Sequence, residues 1–117
     1  MKEKKLKFVR ILITEIEDLT EDLGEVLTMY GERRDKGEIT EYVFLENSAL
    51  LNSEISCMKN FESFVLGLKL DDFQSLEELG DYVCDEFRLQ RRGCGYAPAI
   101  EAVFERKLQK VLTYVKS

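Results

Sequence analysis

The sequence has no histidine and no tryptophan, one proline, seven glycines and three cysteines. Losing histidine removes the commonest general base and the commonest metal ligand, which excludes Ser-His-Asp and Cys-His catalysis and histidine-metal sites. So few prolines and glycines leave few places to turn, favouring a few long helices over many short strands. Cys57, Cys84 and Cys94 show no CxxC spacing. Their odd number does not read as a disulfide framework and fits a reducing compartment. No apolar run approaches the ~18 residues that a membrane-crossing helix requires. Residues 1–14 begin basic and turn apolar, as a secretion signal does. However, Arg10 interrupts the apolar run and Glu15 ends it without a small-residue cleavage site. A cytoplasmic location is the resulting expectation.

What is present suits one folded domain over residues 1–117. This length supports a single hydrophobic core, and 44% hydrophobic with 34% charged residues is the balance of a globular chain. The net charge of −6 is unevenly laid out: residues 1–37 carry 8 basic and 9 acidic groups, residues 38–85 carry 2 and 11, and residues 86–117 carry 7 and 3. The acidic middle argues against a surface that coats nucleic acid or an anionic membrane.

The strongest pattern is a heptad stripe: Leu6, Val9, Ile13, Ile16, Thr20, Leu23, Leu27 and Tyr30, flanked on one side by Leu12, Leu19 and Val26. The acidic residues Glu15, Glu17, Asp18, Glu21, Asp22 and Glu25 fall outside it. Such a stripe predicts a helix from about Lys4 to the Tyr30–Arg34 region, buried on one face by other helices. Residues 5–14 are also rich in β-formers, so an α+β fold with that segment as a strand is the alternative. Gly31–Gly37 reads as the first connection, with either glycine able to end the helix. A second helix covers about Glu38 to Leu68, and its two apolar faces mean either that it is contacted from two sides or that it breaks near Asn47 or Asn52–Ser53. Ser75 with Glu78 forms a capping box before a third helix carrying Leu76, Leu79, Val83 and Phe87 on one face. Pro98 suits the first position of a fourth helix, whose buried face comprises Ile100, Val103, Phe104, Leu108, Val111, Leu112 and Val115. The fold class predicted is an all-α antiparallel four-helix bundle, up-down-up-down.

Three constellations are candidates for function. Glu77-Glu78-Leu79-Gly80-Asp81 resembles the ExxD half of the metal site in all-α nucleoside-triphosphate pyrophosphohydrolases, the MazG-like family. That resemblance covers five residues, and it implies magnesium held by Glu78 and Asp81 against a nucleotide's phosphates. The family's partner motif, EExxE, is missing upstream, and the helical spacing turns Glu78 and Asp81 away from the apolar stripe.

The second constellation is the glycine-dense corner with Arg88, Arg91, Arg92 and Tyr96, which offers positive charge and backbone amides to an anion or partner. It also supports a reading as a nucleic-acid accessory protein. Cys94 in the same corner is expected to be an exposed thiol with a pKa lowered by the arginines. The third is surplus apolar surface. Phe8 and Ile11 lie off the heptad seam, and Phe44 and Leu51 occupy a second face of helix 2, which suits an interface.

The function expected is a small helical interaction or regulatory module that self-associates as a homodimer or binds a protein partner. No catalytic residue and no cofactor are assigned, and neither nucleic acid nor membrane is an expected partner.

Overall fold

In the computed structural model, which describes residues 2–92, 94 and 98–117, the chain is a bundle of four helices: α1 Lys2–Asp35, α2 Glu41–Leu66, α3 Leu76–Arg91 and α4 Pro98–Lys116. No strand occurs among the described residues, and residues 5–14 are helix throughout. Burial explains why β propensity loses there. Phe8, Leu12 and Ile16 are fully buried and Leu19 is 7% exposed, a spacing that only a helix brings to one side. Of these only Ile16 belongs to the heptad stripe; the other stripe members are half-buried, apart from Leu6, which lies 39% exposed. Both α2 and α4 pack on α1, so its driest line falls between the two contacts. Thr20, the polar member of the stripe, donates its hydroxyl to the Ile16 carbonyl at 2.9 Å and so hides its polarity within the helix.

Of the two glycines offered for the first turn, Gly37 makes it. Its φ of +75° is the left-handed conformation that ends a helix, and Glu38 N–H donates to the Arg33 carbonyl at 2.9 Å. Gly31 stays helical instead. A Cβ there would meet the Phe44 ring at 3.8 Å, an ordinary contact, with the Arg34 guanidinium stacked 4.0 Å from the same ring centroid. Thr40 caps α2 by accepting from Val43 N–H at 3.1 Å. Of the two readings of helix 2 the continuous one holds: α2 does not break, and Asn47 donates back to the Val43 carbonyl at 3.0 Å rather than capping a new helix.

The far end of the bundle is tied by polar groups. A single 3₁₀ turn, Leu70–Asp72, follows α2, and the buried Lys5 ammonium donates to the Leu70 and Phe73 carbonyls at 2.8 and 2.9 Å. The Ser75 hydroxyl accepts from Glu78 N–H at 3.1 Å, while the Glu78 carboxylate accepts from Gln74 N–H at 3.1 Å. The Ser75 half of the predicted capping box forms as the spacing implies, whereas the return bond from Glu78 goes to the residue before the N-cap, Gln74, and not to Ser75 N–H. The Phe61, Phe87 and Phe104 rings pack centrally, with centroid separations of 5.0 Å, 5.5 Å and 3.9 Å among the three pairs. Gly80 lets α3 approach α4 closely, since a Cβ there would sit 2.7 Å from Leu112 Cδ1.

The helices differ greatly in length, and this divides the molecule. α1 has 34 residues, whereas α3 has 16 and α4 has 19. Glu15 bonds Lys107 at 2.8 Å and Lys7 Nζ lies 4.8 Å from the Tyr114 ring centroid, so α4 runs opposite to α1. Pro98, nine residues before Lys107, therefore comes level with Gly24, nine residues after Glu15. Beyond that level α1 and α2 continue together as a two-helix arm, giving the 54 × 26 × 20 Å elongated shape.

Candidate interaction surface

The arm's open face is the direct continuation of a core face. Leu12, Leu19 and Val26 follow one another at heptad spacing on α1, and their exposure rises from 0% to 7% to 39%. The first two lie below the level of Pro98 and the third above it. The next line, Phe8, Glu15, Asp22 and Met29, runs from a core residue at 0% through Glu15, bound to Lys107, to the exposed Asp22 and to Met29 at 49%. On α2 the same face brings Val43 at 38% and Leu50 at 49% above Cys57 and Phe64. Val26, Met29, Tyr30 and Arg33 line a shallow groove of about 160 Å³ on this face. Asp22, Val26, Met29 and Arg33 stand in line along α1 at spacings of four, three and four. Asp22 and Arg33 are both exposed, and among the described residues neither meets an opposite charge.

Of the residues expected to supply apolar surface, Phe8 turns inward and Ile11, Phe44 and Leu51 are half-buried. Phe8 is a core residue, because α1 is packed on two sides and its off-seam line is where the two contacts meet. Ile11 is half-buried against the core beside Lys107, Lys110 and Tyr114. Phe44 lies half-buried beneath Arg34, and Leu51 is half-buried. Exposed apolar side chains lie elsewhere, on the arm at Val26, Met29, Val43 and Leu50, and also at Tyr42, Leu45, Leu66, Leu89 and Tyr114.

Among the described residues of the arginine corner, Arg88 and Arg91 are turned to carboxylates. Arg88 is spent on α3 and α4 carboxylates: it binds Glu105, and reaches Asp85 at 3.5 Å and Glu101 at 3.8 Å. These bonds hold the Arg88 pKa above its ordinary value, with the Glu105 hydrogen bond the largest cause. Arg91 is buried and makes a two-pronged pair with Glu54 of α2, at 2.9 Å and 2.7 Å, its guanidinium 5.4 Å from the Phe87 ring centroid. Arg92 is exposed, while Tyr96, with Gly93 and Gly95, lies outside the described residues.

Cys94 corrects a further expectation. It is half-buried and disulfide-bonded to Cys57 of α2, Cα atoms 6.2 Å apart, so it is not a free thiol and the cysteine count no longer implies a reducing compartment. Residues 54 and 57 on one side thus hold 91 and 94 on the other, a double clamp bordering a cavity of about 230 Å³. Cys84 is the free cysteine, half-buried, and burial pushes its thiol pKa up.

Glu78 and Asp81 are both exposed, and the Glu78 carboxylate is occupied in the α3 cap. Among the described residues no three acidic or cysteine side chains gather in a metal-holding cluster. Nor is any helix long and apolar enough to cross a membrane among them.

Sequence reasoning missed the Glu54–Arg91 pair, although the signal was present. Arg91 follows Phe87 by four on the buried stripe of α3, and Glu54 precedes Met58 by four on that of α2. Opposite charges on two facing stripes mark a buried ion pair. Compared with protein-family models, with curated proteins and with solved structures, the chain matches none.

Proposed function

We propose that this protein is a helical interaction module that works by association through the open face of the α1–α2 arm, with no chemistry of its own. The observation that carries this reading is the row Leu12, Leu19, Val26, on which a core face continues uncovered past the end of α4. A face built for burial and left open to water favours any event that covers it. In a cytoplasmic setting, the Cys57–Cys94 bridge acts as a reversible clamp rather than a permanent one. Nothing in the placement of Glu78 and Asp81, or of Arg88, Arg91 and Arg92, favours the nucleotide-hydrolase or nucleic-acid readings.

Sedimentation velocity over a concentration series tests the proposal. The expected result is a mass rising from 13.6 kDa toward twice that value, and a return to the monomer mass in Met29→Glu and in Leu50→Glu. Both positions are open to solvent, so each variant keeps the wild-type helical circular dichroism. Equal association by wild type and both variants defeats the reading.

A further inference from the structure

The geometry points to the cavity between α2 and the end of α3 as the entry site for a low-molecular-weight thiol of peptidic type, which exchanges with the Cys57–Cys94 disulfide and so opens and closes the clamp. This inference rests on the reading of the bridge as a reversible clamp, and it adds the co-reactant and its point of attack. The carrying observation is that both bonded cysteines line one cavity, of about 230 Å³, and are half-buried rather than sealed. A bridge enclosed in a core gives an attacking sulfur no approach, whereas this one has open space beside it.

The rest of the lining suits a peptidic thiol in size, charge and hydrogen bonding. The volume is below the ~300–1,000 Å³ of sites for drug-sized molecules, so a small thiol or the cysteinyl end of a short peptide enters and a folded protein does not. Phe61 and Phe87 offer apolar contact, while Asn60 and Gln90 bring side-chain amides that make no hydrogen bond among the described residues. An amide or carboxylate carried by the thiol satisfies them. Among the described residues no carboxylate lines the cavity, although the chain holds 23 acidic residues, so an arriving thiolate is not repelled. The charged residue that does line it, Arg91, is turned to Glu54.

The exchange balances with the thiol as its only co-reactant. A thiolate RS⁻ attacks one bridge sulfur, forming a mixed disulfide there and expelling the other sulfur as a thiolate, which takes up a proton. A second thiolate attacks the R sulfur of the mixed disulfide, releasing RSSR and the second protein thiol. The bridge gains two electrons, two RSH become one RSSR, and excess RSSR drives the same steps backwards. Two features bring the return to the same pair. Glu54 and Arg91 hold α2 to the end of α3 at 2.9 and 2.7 Å, each three residues from its bridge cysteine, so the opened thiols stay facing each other. Cys84, the cysteine that could scramble the pairing, lies seven residues before Arg91 on α3, about 10 Å along the helix, and does not line the cavity. Burial pushes its pKa up and so keeps it a thiol rather than a nucleophilic thiolate.

The test compares bridge opening in the folded wild-type chain by glutathione and by 2-mercaptoethanol at equal thiolate concentration, the freed cysteines being alkylated and read by mass spectrometry. The rate is expected to rise in proportion to thiol concentration. Relative to urea-unfolded protein, glutathione is expected to gain at least about fivefold on 2-mercaptoethanol. Asn60→Ala/Gln90→Ala is expected to erase that preference, and Asn60→Trp, at an exposed position, to slow glutathione at least about tenfold by filling the entrance. In Cys57→Ser, oxidised glutathione is expected to leave one glutathionyl group on Cys94 and none on Cys84; equal modification of Cys84 defeats the site. If dithiothreitol opens the bridge and its removal in air recloses it, with neither the preference nor the Asn60→Trp effect, the clamp is reversible and the cavity is not the point of attack. If opening is independent of thiol concentration and keeps pace with global unfolding, the entry site and the reversible clamp fall together.

Discussion

Reducing the Cys57–Cys94 disulfide is expected to lower stability without changing the fold. The bridge closes a loop of 37 residues, and the chain-entropy relation assigns such a loop about 4 kcal/mol at 25 °C through its restriction of the unfolded chain. For 117 residues, an unfolding entropy of about 2.1 cal/mol/K per residue sums to about 0.25 kcal/mol/K, so the melting temperature falls by about 15 °C. Where unfolded-state structure absorbs half of the effect, about 8 °C remains. The helices themselves stay folded at room temperature, because Glu54 and Arg91 hold the end of α3 to α2 one turn away from the bridge. The assay is a thermal melt followed by circular dichroism, with and without reductant, on the wild type and on Cys57→Ser/Cys94→Ser. The double variant is expected to melt at the reduced wild-type temperature and to ignore reductant. Thiol titration in denaturant is expected to find one reactive cysteine, Cys84, before reduction and all three after it. Three thiols in the protein purified without reductant, or a melting temperature indifferent to reductant, would refute the clamp.

Other perturbations test other parts of the bundle. Glu54→Ala removes the buried carboxylate that faces Arg91 and is expected to cost about 3–5 kcal/mol in urea unfolding, whereas Glu54→Leu/Arg91→Met is expected to cost far less, because both charges then leave the buried site together. Gly80→Ala sets a helix-propensity gain of about 1 kcal/mol against a clash with Leu112. The clash is expected to win by about 1 kcal/mol, and Leu112→Val in the same chain to reverse the sign. The Lys116 hydrogen bond, with the helix-start amides adding to it, holds the Glu77 carboxyl below the usual carboxylate range. A lowered folded-state pKa stabilises the protein above the unfolded carboxyl's pKa, and that contribution is lost as pH falls through the folded value. Carboxyl NMR titration is expected to show Glu77 returning toward the ordinary value in Lys116→Met; an unmoved titration would exclude the pair as the cause.

The elements that sequence reasoning locates well are those set by local chemistry. Ser75 and Pro98 announce helix starts through the backbone donors that each satisfies or lacks, and both helices begin there. Gly31 and Gly37 look alike in sequence because either can turn left-handed. What separates them is the Phe44 ring packed on Gly31, a contact that no local rule contains. The reading of Phe8 as interface fails for a related reason. Being off one heptad seam marks Phe8 as surplus only if α1 has a single neighbour, and it has two. The disulfide was invisible because Cys57 and Cys94 meet through the packing of α2 against the end of α3. An odd cysteine count carries no information on which two of the three will meet.

The arm itself follows from a mismatch that the lengths of the helices already contain. A helix of 34 residues extends about 51 Å, whereas α3 and α4, with 16 and 19 residues, extend about 24 and 28 Å. No short pair can cover a long pair along its whole length, so about 20 Å of the α1–α2 hairpin must find cover elsewhere or remain wet. Evolution of an ordinary monomer removes such a region by shortening it or by turning its inner face polar. Here the heptad stripe instead runs on through Leu23, Leu27 and Tyr30, and the neighbouring line keeps Val26 and Met29 apolar. Two helices alone bury only one strip of each, so the arm is the least protected part of the fold, and its amides are expected to exchange with solvent faster than those of Phe8–Leu19. Docking a second arm on the open face completes a local four-helix packing and slows that exchange. Amide exchange measured at low and high protein concentration therefore separates an arm built to be covered from one that is merely long. Protection growing with concentration in residues 22–33 and 43–50, and nowhere else, is the outcome required. Uniform exchange across concentrations would leave the open face without a self-made cover.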